Sequence, residues 1–279
     1  MLMSPADRYL DLLKKTLSFA LWREPPIPVE QFNYQRGRLM RLGIDLVTSM
    51  LRSMNLQLVR PAPFTVEERL EGKTWPGLAD TMVGMKRLDN LHACLRSVLA
   101  DGVPGDFIET GVWRGGSCIF ARGFLAAHGV TDRRVFVADS FAGLPPPDVD
   151  QWPADRGDVH HTHAPILAVS QQEVEANFRR YGLLDEQVVF MKGWFKDTLP
   201  SAPIDRLAVL RLDGDMYGST MDALNALYRK LSPGGFCIVD DYALPGCRQA
   251  IDDYRREHGI VEPIEVIDWT GVFWRKARA

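Results

Sequence analysis

From Phe107 onward the chain repeats one pattern, a short unbroken apolar run followed by a longer stretch with apolar residues at helical spacing. The runs are FIETGV, RVFVADS, VVFMKG, LAVLRLD and FCIVDD. Continuous runs of this length are the signature of strands covered on both faces. Between them GSCIFARGFLAAHG, SQQEVEANFRRYGLL, STMDALNALYRKL and GCRQAIDDYRREHG read as helices. Alternation of this kind predicts an α/β fold, a parallel sheet with helices on both sides. The C-terminal IEVIDWTGVFWRKA reads instead as two strands about a turn at Thr270 and Gly271, an antiparallel hairpin at the sheet edge.

Residues 1–100 read differently. Apolar positions at helical spacing recur in YLDLLKKTLSFAL, MRLGIDLVTSMLRSM and MVGMKRLDNLHACLRSVL, with a charged, turn-rich loop expected at PAPFTVEERLEGKTWPG. The expected organisation is an N-terminal helical extension over 1–100 and a sheet domain over 101–279. Within the latter, residues 141–165 form the one long irregular insertion, the kind of loop that is usually functional or mobile. A formal charge of −3 offers no basic footprint for nucleic acid. No run approaches the ~20 apolar residues of a membrane helix. Asp7, Arg8, Asp11, Lys14 and Lys15 interrupt any signal-peptide core. Cys94, Cys118, Cys237 and Cys247 form no CxxC pair and read as reduced thiols, so a cytoplasmic protein with a small-molecule partner is expected.

In open α/β sheets ligands bind beyond the carboxyl ends of the strands, and the first strand leads into a glycine turn. Here that turn is DFIETGVWRGGSC, with Gly111, Gly115 and Gly116 where a backbone would pass close to a ligand and Thr110 among the candidate cofactor-binding residues. Its spacing is not GxGxxG, and no GxxxxGK[ST] occurs, which disfavours a dinucleotide-dependent oxidoreductase. Asp139 ends the second strand 28 residues past Gly111, where a carboxylate accepts hydrogen bonds from ribose hydroxyls. Glu109 beside the turn would repel a pyrophosphate yet tolerate an amino or sulfonium group. Together they suit S-adenosylmethionine; the plainer reading is that both carboxylates cap the following helices.

Taken with TMVGMKRLDNL upstream, the segments FIETGVWRGGSCIFARG, VADSFAGLP, GWFKDTLP, LRLDGDMYGST and IVDDY resemble the macrocin O-methyltransferase family. The likeness runs in order from about Thr81 to the C-terminus. It implies a Rossmann-like class I methyltransferase sheet, S-adenosylmethionine and Mg2+ as cofactors, a homo-oligomer, and a glycosylated natural product as acceptor. By this resemblance Asp213, Asp240 and Asp241 are Mg2+ ligands and Asp215 is the general base. Thr81 and Met82 close over the methionine end of the cofactor, Ser140 follows the ribose carboxylate, and Trp194 and Phe195 form the adenine side.

The residues themselves give a parallel reason. Two strands end in carboxylate pairs, Asp213 with Asp215 and Asp240 with Asp241. Three carboxylates converging at neighbouring strand ends repel one another unless a cation joins them, and all-oxygen ligation suits Mg2+. A metal bound to two vicinal oxygens would serve a sugar diol or a catechol alike. Singly, aspartates at strand ends are often only turn residues. His160, His161 and His163 lack the converging partners of a zinc site and suit a lid over the acceptor. Tyr217 and Tyr242 read as core, and Lys86 and Arg87 as surface or ion-paired residues.

Overall fold

Residues 3–62 and 64–278 are described by the structure, a computed structural model. Ser4 opens helix α1 (Pro5–Leu17) with a capping box: its hydroxyl accepts the Asp7 N–H at 3.0 Å while the Asp7 carboxylate accepts the Ser4 N–H at 3.3 Å. Leu10, Leu13 and Leu17 share one buried stripe of that helix. Two-residue strands β1 (Ile27–Pro28) and β2 (Val59–Arg60) pair antiparallel on either side of α2 (Arg38–Ser53). No strand was expected here, because two residues carry no periodicity. Nor was α3 (Val66–Leu70), which lies within the expected loop and is opened by a capping box between Thr65 and Glu68. Helix α4 (Met85–Ala100) completes the N-terminal hundred residues.

The sheet strands are β3 (Asp106–Thr110), β4 (Val135–Asp139), β5 (Val188–Lys192), β6 (Leu207–Leu212), β7 (Leu231–Val239), β8 (Glu265–Val266) and β9 (Val272–Arg275). Their spatial order is β5-β4-β3-β6-β7-β9-β8, parallel from β5 to β7 and antiparallel at β9 and β8. The five apolar runs thus form the parallel strands, and the C-terminal hairpin forms the edge. Helices α5 (Gly116–Ala127), α6 (Ala164–Leu167), α7 (Gln171–Arg180), α8 (Phe195–Thr198), α9 (Tyr217–Leu227) and α10 (Pro245–Glu257) fill the connections.

Side chains alternate across the strands with period two and so build two cores. Phe107, Val137, Val209 and Ile238 join residues of α1, α4, α5 and α7 on one face. Ile108, Phe136, Leu210 and Cys237 join residues of α9 and α10 on the other. All four cysteines are buried and unpaired.

The chain leaves β3 toward β4 on one side, while β6 lies on the other, so a crevice opens at their carboxyl ends. Pairing continues past the strands: Asp213 N–H donates to the Thr110 carbonyl at 2.9 Å, and Asp240 N–H to that of Leu212 at 2.9 Å. Gly111 permits this closure. Its φ is +89°, and a Cβ there would sit 1.7 Å from the Asp213 carbonyl oxygen.

Candidate active site

Strand register assembles the site. Glu109 on β3 lies directly beside Arg211 on β6, and Arg211 beside Ile238 on β7, two residues before Asp240. Arg211 is only 2% exposed, in a strand buried along its whole length. A guanidinium there must be paired. It donates to Glu109 Oε1, to Asp213 Oδ2 at 2.8 Å and to Asp240 Oδ1. The second oxygen of Asp240 takes Arg87 Nη1.

Arg87, near the start of α4, is likewise buried; its Nε donates to Asp268 at 3.0 Å and its Nη2 to the Gly72 carbonyl at 3.1 Å. Asp268 in turn accepts the N–H groups of Thr270 and Gly271 at 3.0 and 2.7 Å, holding the turn between β8 and β9. Both arginines therefore belong to the site. Arg87, which from sequence reads as a surface or ion-paired residue, is ion-paired but buried, and sequence reasoning missed Arg211. The signal for Arg211 was a charge inside the apolar run LAVLRLD.

Asp213, Asp240 and Asp241 can bring one oxygen each within 4.8 Å of one another. Asp215, at φ +59°, donates its N–H to Asp241 Oδ2 at 3.1 Å. Six carboxylates, counting Glu109 and Asp268, thus crowd around two guanidinium groups. The cost appears in their protonation. Burial pushes Glu109 up to about 7 against the pull of Arg211. Burial and then Asp240 raise Asp213 to about 6, and burial and then Asp213 raise Asp215 to about 7. Asp241 is driven well above the usual carboxylate range by burial and by Asp215, and no cationic side chain is paired with it among the described residues. Such an all-oxygen set with uncompensated negative charge fits a hard divalent cation, because each carboxylate keeps free lone pairs beyond its existing bonds.

A cavity of about 400 Å³ opens onto this cluster. Thr81, Met82, Glu109, Gly111, Asp139, Ser140, Trp194, Phe195, Asp213, Asp215, Asp240 and Asp241 all line it. Thr110 does not, nor do Gly115 and Gly116; Thr110 is buried, with its hydroxyl 3.5 Å from the Arg211 carbonyl. Tyr217 and Tyr242 do not line it either.

Asp139 does line it while accepting the N–H groups of Val112 and Phe141 at 2.8 and 2.7 Å. It thereby fixes the glycine turn rather than capping a helix, and lone pairs remain on both oxygens. Gly115 and Gly116 face protein, with the Gly116 N–H donating to the Asp80 carbonyl at 3.0 Å. That contact sets Thr81 over the start of α5. Asp80 is held further by Tyr181 at 2.6 Å and Arg180 at 3.2 Å.

A doubly wound sheet with carboxylates at the tips of β6 and β7 and a cavity at its switch point is the architecture of a class I methyltransferase. Comparison with known proteins gives the same result. A sequence model of the macrocin O-methyltransferase (TylF) family matches residues 6–276, and the chain belongs to that family. Over 98% of the chain and 94% of the relative it is 52% identical to 8-demethyl-8-(2,3-dimethoxy-alpha-L-rhamnosyl)-tetracenomycin-C 4'-O-methyltransferase of Streptomyces olivaceus. Over 99% of the chain and the whole of the relative it is 49% identical to mycinamicin III 3''-O-methyltransferase of Micromonospora griseorubida. The solved structure of the O-methyltransferase NovP superimposes with a TM-score of 0.83 at 46% identity, covering 98% of this chain and 100% of that one. The protein is an O-methyltransferase.

Proposed function

We propose that the chain transfers a methyl group from S-adenosylmethionine to a sugar hydroxyl of a glycosylated natural product, with Mg2+ held by Asp213, Asp240 and Asp241. The observation that carries the reading is the convergence of those three carboxylates at the wall of the cavity. Support for the acceptor class comes from the relatives in Streptomyces olivaceus and Micromonospora griseorubida, both sugar O-methyltransferases by name.

In this reading the cavity divides between two ligands. Asp139 and Ser140 face the ribose of the cofactor, Trp194 and Phe195 flank its adenine, and Thr81 and Met82 lie over its methionine end. The bound sulfonium supplies an activated methyl group. A hydroxyl holds its proton too tightly to attack unaided at neutral pH. Asp213, Asp240 and Asp241 would hold the cation, which would supply Lewis acidity to ease loss of the hydroxyl proton. Asp215 would receive the hydroxyl proton as the O–CH3 bond forms and the S–CH3 bond breaks, with S-adenosylhomocysteine as the leaving group. Burial and Asp213 keep this carboxylate basic, up at about 7 without the cation. Arg211 and Arg87 hold Asp240 at both oxygens and so fix its orientation.

The protein also self-associates in this reading, through the apolar face of α2, where Leu39, Leu42, Leu46 and Met50 are all exposed.

The test joins calorimetric titration of S-adenosylmethionine, S-adenosylhomocysteine and NAD with turnover of glycosylated acceptors in Mg2+ or EDTA. Binding of the first two alone, with turnover lost in EDTA, is expected. Asp213→Ala should lose metal-dependent turnover while keeping cofactor affinity. Asp215→Asn should keep both affinities and lose ~10²–10⁴ in rate. Unaltered turnover in Asp215→Asn removes its role as base, and binding of NAD alone removes the whole reading.

A further inference from the structure

The insertion over residues 141–165 is pinned to the turn that carries Asp215. Asp155 is 4% exposed and accepts the N–H groups of Tyr217 and Gly218 at 2.7 and 2.9 Å, the first turn of α9. Trp152 lies on Tyr217 with ring centroids 5.5 Å apart. Its indole also fills the space over Gly218, where a Cβ would come within 2.5 Å of Trp152 Cδ1.

From this anchor the chain returns to the cavity wall at His160. Of the histidines in HHTH it alone lines the cavity; His163 packs edge-on against Trp75 at 5.0 Å. Asp158 clamps His160 at two points, accepting its backbone N–H at 2.8 Å and lying 2.7 Å from Nδ1. A carboxylate at Nδ1 fixes the tautomer with the proton on that nitrogen. Nε2 is then a lone-pair acceptor, and no described residue hydrogen-bonds to it.

We propose that His160, oriented by Asp158, is a substrate-recognition residue whose Nε2 accepts a hydrogen bond from a hydroxyl of the acceptor sugar outside the vicinal pair that the metal would hold. The inference rests on the proposed sugar acceptor. It adds a contact from the insertion to those of the strand ends. The carboxylates near the methylation point accept hydrogen bonds or bind metal, and His160 extends recognition to a donor group further along the ring. An acceptor lacking that hydroxyl leaves Nε2 unpaired, which is how a polar site rejects a deoxy analogue.

The test is steady-state kinetics of the whole protein, His160→Ala, His160→Gln and Asp158→Asn. Each is assayed with a glycosylated acceptor and its deoxy analogue, and S-adenosylhomocysteine affinity is measured alongside as a check on folding. In His160→Ala the acceptor KM should rise about tenfold with kcat and cofactor affinity nearly unchanged. The parent should lose a similar factor on the deoxy analogue, whereas His160→Ala should lose nothing further. Recovery by His160→Gln, whose amide oxygen can replace the acceptor atom, and an intermediate loss in Asp158→Asn complete the expected pattern. Equal discrimination against the deoxy analogue in the parent and His160→Ala overturns the proposal, as does a fall in kcat at constant KM. A parent that turns over no glycosylated acceptor overturns the underlying reading and this proposal together.

Discussion

At the scale of single residues the site is an exercise in charge compensation. Arg211 and Arg87 offset part of the negative charge that Glu109, Asp213, Asp215, Asp240 and Asp241 bring together, and the remainder is visible as raised pKa values. This has a thermodynamic consequence. An unfolded carboxyl titrates near ~4. In the folded protein without metal, Glu109 and Asp215 titrate at about 7 and Asp213 at about 6. Between those values the folded state binds more protons than the unfolded one, so these groups lower stability as pH rises from ~4 to ~7. His92 and His163, both held down by burial, act in the opposite sense, which makes the parent the necessary reference. In EDTA, Asp215→Asn should therefore lose less melting temperature than the parent between about pH 5 and about pH 7.5, by ~2–4 °C, the shift that ~1 kcal/mol produces in a chain of this size. Equal losses would mean that Asp215 is already ionised at the lower pH.

Secondary-structure elements divide sharply in how legible they were. The strands announced themselves because burial on both faces leaves an unbroken apolar run, as at LAVLRLD, and each run is a parallel strand of the sheet. Asp213, Asp215, Asp240 and Asp241 were legible for a related reason, since acidic pairs ending such runs must lie at one edge. The insertion was not. Its order comes from Asp155 and Trp152 meeting the start of α9, about sixty residues away in sequence, and no local pattern encodes such a contact. Asp155→Ala should leave one buried and one part-buried N–H group at the helix start without a partner and cost about 2 kcal/mol. Faster proteolysis within residues 141–165, with S-adenosylhomocysteine affinity kept, is the expected readout. A melting temperature and cleavage rate equal to the parent's would show that the carboxylate does not hold the loop.

For the molecule as a whole, the N-terminal helices serve different ends. Helix α1 and helix α4 bury apolar stripes in one core with the sheet strands, and α4 also delivers Arg87 to Asp240. Helix α2 buries only Thr48 among its described side chains and leaves Leu39 and Leu46 at 86% and 74% exposure. An exposed apolar stripe of that extent calls for a cover, and a second copy of the chain is the one proposed above. Light scattering should give a mass above that of one chain, and Leu46→Asp combined with Met50→Asp should return it to the monomer. A parent that is already monomeric at micromolar concentration removes α2 as an interface between copies.

What the sequence by itself determined was everything that repeats along the chain: the alternation of strand and helix, the antiparallel edge, and the carboxylates at the strand tips. These follow from local periodicity, because a buried strand and an amphipathic helix each impose their own spacing on apolar residues. What only the tertiary structure decided was pairing across long separations. Glu109 meets Arg211 through the register of β3 on β6, Arg87 meets Asp240 through the packing of α4 over the strand ends, and His160 reaches the cavity because Asp155 ties its loop to α9. Side chains of opposite sign or matching hydrogen-bonding capacity carry no periodicity, so their partners emerge only when the backbone brings them together.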